Sequence, residues 1–150
     1  ATTFSPDMTT SRAMIATILW RMEGEPVVDY AMDYADVAGG VWYTEAIRWA
    51  ASQGIVTGYG DSRFGPADAV TREQLAVILY RYAGAPAADA SALDSFSDRG
   101  QVSSWAGDAM AWAVSAGIIQ GNGAGLNPGG TATRAEVAAI LMRFVESGIL

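Results

Sequence analysis

The chain has 150 residues, of which 51% are hydrophobic and only 17% are charged, so it can bury an apolar core and is not of the disordered class. It contains neither cysteine nor histidine, which excludes disulfides, catalysis by cysteine or histidine, and nearly all zinc sites. The net charge of −7 argues against a nucleic-acid partner, and no run of about 18 apolar residues predicts a membrane span.

The first predicted element is an amphipathic helix that begins after Ser11. Apolar residues follow Arg12 at spacings of three, six, seven and ten positions, and this spacing places them on one face of a helix. Ser11 is a suitable N-cap residue, and Gly24 followed by Pro26 predicts the end of the helix. A connector over 25–33 follows.

The second predicted element is a helix over about 42–53 that opens with Trp42 and follows Asp36. Trp42 lies where an indole ring could line a groove, whereas the tryptophan seven positions later lies on the apolar stripe and is predicted to be core. Glycines end this helix, and the loop at Gly58 leads to the next one. The loop either brings backbone N–H groups to a ligand or is a tight turn.

The rest of the chain repeats these elements. A helix from Arg72, a helix over about 105–116 and a helix from Arg134 follow in order, and the three arginines are 60 and then 62 residues apart. Capping boxes, formed by Thr71 with Gln74 and by Thr133 with Glu136, mark the two later arginine helices. The repeated positions are Arg12, Arg72 and Arg134, then Asp36 and Asp98, then Trp42 and Trp105, and finally Gly58 and Gly121.

The order aromatic-x-Asp, Trp, Gly-Ile-x-x-Gly, Phe-x-Pro and Thr-Arg-Ala-Glu resembles the S-layer homology (SLH) module. Residues 133–136 match the family's tetrapeptide completely, and 71–74 are a close variant. The resemblance implies the C-terminal half of one repeat over 1–24, a second repeat over 34–84 and a third over 96–148. It also implies an all-α fold of tandem helix-loop-helix repeats packed as a pseudo-threefold helical bundle.

The function that the resemblance implies is non-covalent anchoring of an exported bacterial protein at the cell wall, outside the cell. The implied partner is a secondary cell-wall polysaccharide with acidic, pyruvylated amino sugars, bound in grooves between repeats. The arginine of the tetrapeptide would be a main contact. Arg12 would face the segment of Asp36 and Trp42, and Arg72 the equivalent segment of the third repeat. Arg134 would lack a partner segment from this chain, unless self-association supplies one.

The residues themselves leave alternatives open. A guanidinium suits a carboxylate, but each arginine could instead bond a loop carbonyl or a neighbouring acid. Asp36 and Asp98 would position the arginine, bond sugar hydroxyls, or cap a turn. A protein–protein interaction or assembly module of the cell surface is the alternative function.

The sequence predicts no catalytic role, metal site or cofactor. The acids lack the alternating pattern of a calcium loop, and Glu73 and Glu136 are accounted for by helix position or capping rather than as a hydrolytic pair. For the binding function, the sequence predicts that Arg72→Ala weakens attachment to the wall with little loss of stability.

Overall fold

A computed structural model of the chain describes residues 9–59, 62–120 and 125–147. Within these residues the secondary structure is helical and contains no β-strand beyond isolated bridges, which confirms the predicted all-α fold. Short 3-10 helices at Ala90–Leu93, Arg99–Gln101 and Ser104–Ala106 lead into the fourth α-helix. The α-helices are α1 (Arg12–Met22), α2 (Thr44–Ser52), α3 (Arg72–Tyr82), α4 (Gly107–Ser115) and α5 (Arg134–Glu146).

The three arginine helices begin where the sequence predicts. Ser11, Thr71 and Thr133 each accept a hydrogen bond from the backbone N–H three residues later. In α3 and α5 the side chains of Gln74 and Glu136 accept in return from the N-cap N–H, which completes both predicted capping boxes. A methionine occupies that place in α1, so α1 lacks the second bond. Each N-cap contributes about 1 kcal/mol.

Glycine ends α1 to α4 in the same way. The glycine adopts a positive φ, its N–H bonds the carbonyl three residues back, and the next N–H bonds the carbonyl five residues back. This is the Schellman arrangement, which satisfies carbonyls that the helix leaves open and favours a residue without a Cβ. The four residues are Gly24, Gly54, Gly84 and Gly117.

One side chain holds the connector after each of the first two arginine helices. The indole N–H of Trp20 donates to the carbonyl of Pro26 over 2.9 Å. The hydroxyl of Tyr80, at the equivalent position, donates to the carbonyl of Pro86 over 2.8 Å. The two residue types differ, but both place a polar hydrogen at the tip of a large ring.

The chain divides into two compact units. The N-terminal unit is Ser11–Ala69, in which α1 packs against α2. The C-terminal unit is Ala1–Thr10 with Val70–Leu150, in which α3 packs against α4. In both units the arginine helix of one repeat packs on the tryptophan helix of the next.

The predicted apolar stripes supply most of the core. In α1 the stripe residues Ile15 and Leu19 are fully buried, but Met22 is 40% exposed, so its predicted burial is wrong. Met22 is the last residue of its helix, just before the chain turns at Gly24. At the equivalent position in α5, Phe144 is fully buried against the rings of α3 and α4.

Three backbone segments form a closed ring of hydrogen bonds inside the C-terminal unit. The N–H of Thr10 donates to the carbonyl of Ala132 (3.2 Å), Ala132 to Val70 (2.9 Å), and Val70 to Thr10 (2.8 Å). Each residue lies two positions before a repeat arginine, so the ring relates these segments by pseudo-threefold symmetry. The pseudo-threefold packing of the whole chain stays a prediction.

The side chain of Thr10 is the one polar member of this ring. Its hydroxyl is buried and has no hydrogen-bond partner in the described part of the chain, whereas Val70 and Ala132 are apolar. We expect Thr10→Val to raise the free energy of unfolding by about 1 kcal/mol, because it removes an unsatisfied hydroxyl at nearly constant shape. Urea unfolding followed by circular dichroism measures the change.

Thr17→Val is the matched control for this substitution. The Thr17 hydroxyl is also buried, but it donates to the carbonyl of Ala13 over 2.8 Å. The same change should therefore lower the free energy of unfolding, by about 1 kcal/mol. A Thr10→Val protein that is less stable than the parent would show that the Thr10 hydroxyl has a partner.

Candidate functional site

Arg12 is the first residue of α1, and its side chain extends into the loop that follows α2. The residue is only 6% exposed. Its Nε donates to the carbonyl of Phe64 over 2.9 Å, and its Nη2 donates to the carbonyl of Thr57 over 3.0 Å. The guanidinium carbon lies 4.7 Å from the ring centre of Phe64 and 4.9 Å from that of Tyr59. Arg12 therefore fastens both ends of the loop.

Asp36 binds the same loop through backbone N–H groups, whereas Arg12 binds its carbonyls. Its carboxylate accepts from the N–H of Phe64 and from the N–H of Gly65, both over 2.8 Å. Desolvation acts to raise the pKa of Asp36, but these backbone hydrogen bonds outweigh it and leave the pKa below its usual value. Asp36 is thus an ionised acceptor that fixes Phe64, whose carbonyl in turn accepts from Arg12.

Arg72 repeats this geometry in the C-terminal unit. Its Nε donates to the carbonyl of Leu126 over 2.8 Å, and its Nη2 to that of Gln120 over 3.4 Å. Asp98 accepts from the N–H of Leu126 over 3.0 Å and of Asn127 over 2.8 Å, and these two bonds lower its pKa. In both units, then, the repeat arginine binds loop carbonyls and the repeat aspartate binds loop N–H groups.

The two arginines differ in their third contact. Arg72 also donates from Nη1 to the carboxylate of Glu136, which closes the capping box of α5 with its other oxygen. The Arg72 side chain is 8% exposed and that of Glu136 is 38% exposed. No carboxylate of the described residues forms an ion pair with Arg12. The tetrapeptide glutamate of the third repeat therefore serves both its own helix and the arginine of the second.

Glu73, next to Arg72, has a role that sequence reasoning missed. It is 6% exposed and accepts from both the backbone N–H and the hydroxyl of Ser103, over 2.9 and 2.6 Å. It thereby fixes the residue before the 3-10 turn that leads into α4. The sequence does show that this position differs between the repeats, since Glu73 is replaced by alanine in the other two copies, at Ala13 and Ala135.

The Phe/Leu-x-Pro segments satisfy the open N–H groups of α1 and α3. The first two N–H groups of each helix donate over 2.9 to 3.1 Å to the carbonyl of the proline of such a segment and to the carbonyl two positions after that proline. These donors belong to the four that any α-helix leaves without a partner at its start. The starts of α1 and α3 are therefore occupied by protein. The pairs are Arg12 with Asp68, Ala13 with Pro66, Arg72 with Gly130, and Glu73 with Pro128.

The tryptophans divide as the sequence predicts. Trp42 is 60% exposed and Trp105 is 57% exposed, whereas Trp49 and Trp112 are buried. The ring of Trp42 meets that of Tyr43 edge-on, with centres 5.0 Å apart. Two large apolar rings at equivalent positions thus lie open to solvent, which is unusual for a residue type that is highly buried on average.

The glycine of the first loop is required by close packing. A Cβ at Gly58 would lie 2.6 Å from the carbonyl oxygen of Arg63 and 2.6 Å from the ring of Tyr34. The glycine is needed for this close packing and not for a positive φ, which Gly58 does not adopt. Gly121, the equivalent residue, lies outside the described residues, as does the first Phe-x-Pro segment at 4–6.

Arg134 differs from the other two repeat arginines. It is only partly buried, and its Nε is buried without a hydrogen-bond partner in the described part of the chain. The equivalent Nε atoms of Arg12 and Arg72 each bond a loop carbonyl. The predicted lack of a partner segment for Arg134 stays a prediction.

The described residues contain no group of three or more acidic side chains placed to hold a metal ion. Their helices are also too short or too polar to cross a membrane.

The S-layer homology domain family matches residues 33–76 and 95–138, which is more than half of the chain. An amylopullulanase of Thermoanaerobacterium thermosulfurigenes is 32% identical over 97% of this chain and 8% of that protein. A surface-layer 125 kDa protein of Lysinibacillus sphaericus is 32% identical over 96% of this chain and 12% of that protein. S-layer protein EA1 of Bacillus anthracis is 30% identical over 89% of this chain and 15% of that protein.

The chain thus spans only 8 to 15% of the length of these relatives. Each matched segment begins shortly before a repeat aspartate and ends inside an arginine helix, so each includes the aspartate and the loop of one site, whereas the arginine that binds that loop lies before the segment. The chain therefore belongs to the S-layer homology domain family, a family of binding and anchoring domains of the bacterial cell surface.

Proposed function

We propose that this chain anchors an exported protein to the bacterial cell wall by binding secondary cell-wall polysaccharide without a covalent bond. The chain is associated with the cell wall outside the cell, as its family is. The observation that carries the proposal is the exposure of Trp42 and Trp105 at equivalent positions of two repeats. The C–H face of a sugar packs on an indole, and neighbouring polar groups bond its hydroxyls.

The polar partners of the sugar are those of the two loop sites. Asp36 and Asp98 are ionised acceptors fixed by backbone N–H groups, so they can also accept from sugar hydroxyls. Arg12 uses Nε and Nη2 for loop carbonyls, and the remaining donors of its guanidinium are available for an acidic group. In this proposal the main role of Arg12 and Arg72 is to hold the loops. Each contacts the ligand only with an edge of its guanidinium, because both residues are nearly buried.

We propose no enzymatic activity for the chain. The acids that sequence analysis considered have structural partners, since Glu73 binds Ser103 and Glu136 binds Arg72. The match to the amylopullulanase covers 8% of that protein. Self-association that completes the surroundings of Arg134 is a further part of the proposal, supported by its buried Nε, which has no hydrogen-bond partner among the described residues.

The experiment is a sedimentation assay with purified cell wall and the variants Trp42→Ala, Trp105→Ala and the double variant. Each single change should lower the retained fraction several-fold, and the double change should lower it further, because linked weak sites raise avidity. Val27→Ala removes an exposed apolar side chain (85% exposed) elsewhere and should bind as the parent does. Thermal melts should stay within a few degrees of the parent, since the rings are exposed.

Wall from which the secondary polymer has been extracted chemically separates the two candidate functions. The parent should no longer bind it if the ligand is the polysaccharide. Binding that persists on the extracted wall, or a double variant retained as well as the parent, would instead favour protein–protein assembly.

A further inference from the structure

Trp105, one of the two exposed rings of the proposed binding site, is carried by a short turn. The N–H of Ala106 closes this turn on the carbonyl of Ser103 over 2.9 Å. Ala106 is fully buried, which fixes the end of the turn that leads into α4. Ser103 is only partly buried, so packing alone does not fix the other end. The position of the Trp105 ring therefore depends on what holds Ser103.

Glu73 holds this second end of the turn. Its carboxylate accepts from the N–H and from the hydroxyl of Ser103, over 2.9 and 2.6 Å, with one oxygen for each donor. Two short bonds to one carboxylate fix the partner in both distance and direction. Glu73 is 6% exposed, so water competes little for these bonds. The backbone two residues before Trp105 is thereby attached to α3.

The first and third repeats do without this contact. Their equivalent residues are Ala13 and Ala135, which need no polar partner. Removing a carboxylate from water is unfavourable, and its hydrogen bonds only offset that cost. Because alanine serves at this helix position in the other repeats, the helix itself does not require Glu73. What Glu73 adds is a fixed position for the turn of Trp105.

Adjacent residues of α3 hold two parts of the proposed C-terminal site. Arg72 binds the loop through the carbonyls of Leu126 and Gln120, whereas Glu73 binds the turn of Trp105. The Cα atoms of adjacent residues are about 3.8 Å apart, and the helix sets the direction of both side chains. The loop and the ring are therefore attached to the same turn of one rigid helix.

Trp42 is held in a different way. The hydroxyl of Thr44 donates to the carbonyl of Ala38 over 2.6 Å and accepts from the N–H of the residue before Trp42 over 3.1 Å. Thr44 is 2% exposed and lies within six positions of both partners. Gly107 occupies its place in the third repeat and has no side chain to form these bonds. The third repeat therefore needs a partner from elsewhere for its turn, and Glu73 supplies it.

We propose that Glu73 is a positioning residue for the cell-wall polysaccharide, because it fixes the ring of Trp105 on which the sugar packs. This inference rests on the proposed function. Both carboxylate oxygens of Glu73 are bound to Ser103, so Glu73 acts through the turn and does not contact the sugar. A ring that is fixed before binding raises the affinity, since no side-chain freedom is lost when the sugar binds.

Fluorine NMR of protein labelled with fluorotryptophan tests the positioning without a ligand. Glu73→Ala should narrow the Trp105 signal and move it toward that of the free amino acid, because the ring gains freedom. The Trp42 signal should not change, since Thr44 holds that turn. The signal that Trp105→Ala removes identifies Trp105. Glu73→Gln should restore the parent signal, because an amide oxygen can still accept from Ser103. An unchanged Trp105 signal in Glu73→Ala would overturn the inference.

Wall sedimentation of double variants tests whether Glu73 acts through Trp105. Glu73→Ala should lower the retained fraction several-fold, as Trp105→Ala does, and Glu73→Gln should bind as the parent does. In the Trp105→Ala protein, Glu73→Ala should cause no further loss, whereas in the Trp42→Ala protein it should keep its full effect. An equal loss in both backgrounds would show that Glu73 acts on the fold as a whole, and the inference would be wrong.

Ser103→Ala is a milder variant that serves if a thermal melt shows Glu73→Ala to be poorly folded. It removes the hydroxyl donor and keeps the N–H, so it should change the Trp105 signal and the retained fraction in the same direction by less. No change in either would contradict the inference. If Trp105→Ala lowers binding and Glu73→Ala does not, the positioning role is wrong and anchoring stands. If Trp105→Ala binds as well as the parent, the proposed function loses this ring and the inference fails with it.

Discussion

Replacing Arg72 by alanine is expected to lower the free energy of unfolding by about 3 kcal/mol. The side chain is buried, and its removal leaves the carbonyl of Leu126 without its donor and Glu136 without its ion-pair partner. Glu136 is 38% exposed, so water can solvate part of its carboxylate and the cost stays below that of a fully buried pair. The sequence alone led us to expect little loss of stability, and the burial of Arg72 changes that expectation.

Urea unfolding of Arg72→Ala measures this effect, with Arg81→Ala as the control. Arg81 is an exposed residue of the same helix, near its end, and its replacement should cost no more than about 0.5 kcal/mol. Any loss of wall binding by Arg72→Ala therefore has to be compared with the fraction of the variant that is unfolded. If Arg72→Ala unfolded at the same urea concentration as the parent, the three contacts of this guanidinium would contribute nothing to stability.

Phe144→Ala is expected to destabilise the chain by about 3 to 5 kcal/mol. Phe144 is fully buried in the C-terminal unit. Its ring centre lies 5.9 Å from that of Tyr82 and 6.1 Å from that of Trp112. Alanine would leave a cavity between helices α3, α4 and α5 that these large rings cannot close without leaving their rotamers.

Met22→Ala is the matched control, because Met22 occupies the same repeat position in α1 but is 40% exposed. Its replacement should cost less than about 1 kcal/mol. Differential scanning calorimetry of both variants gives the two changes. Equal losses would show that repeat position, and not burial, decides the contribution of this residue.

Local features of the sequence predicted the α-helices, although the two tryptophan helices begin two residues later than predicted and the 3-10 helices before α4 were not predicted. Capping residues such as Thr71 and Thr133 form bonds to N–H groups three positions away, and the glycines after the helices bond carbonyls within five positions. These interactions depend on neighbours in the chain, so a short stretch of sequence contains all their partners. The repeat spacing then identified the equivalent arginines, aspartates and tryptophans.

Some shared roles escaped sequence comparison because different residue types perform them. Trp20 and Tyr80 each donate a hydrogen bond to a proline carbonyl, one from an indole N–H and the other from a phenol O–H. Because the residue types differ, a comparison of the repeats does not identify them as equivalent. Glu73 is unique to its copy, and its partner Ser103 lies 30 positions away. A pattern of repeats cannot reveal a contact that only one repeat makes.

The sequence by itself determined where the three arginine helices begin, which residues are equivalent, and to which family the chain belongs. Only the tertiary structure decided that Arg12 and Arg72 lie buried on loop carbonyls 45 to 54 positions away and that, of these two arginines, only Arg72 forms an ion pair with a described residue. The physical reason is distance along the chain. Capping and helix periodicity are satisfied within one or two turns, whereas the environment of a charge is set by groups that folding brings together from different repeats.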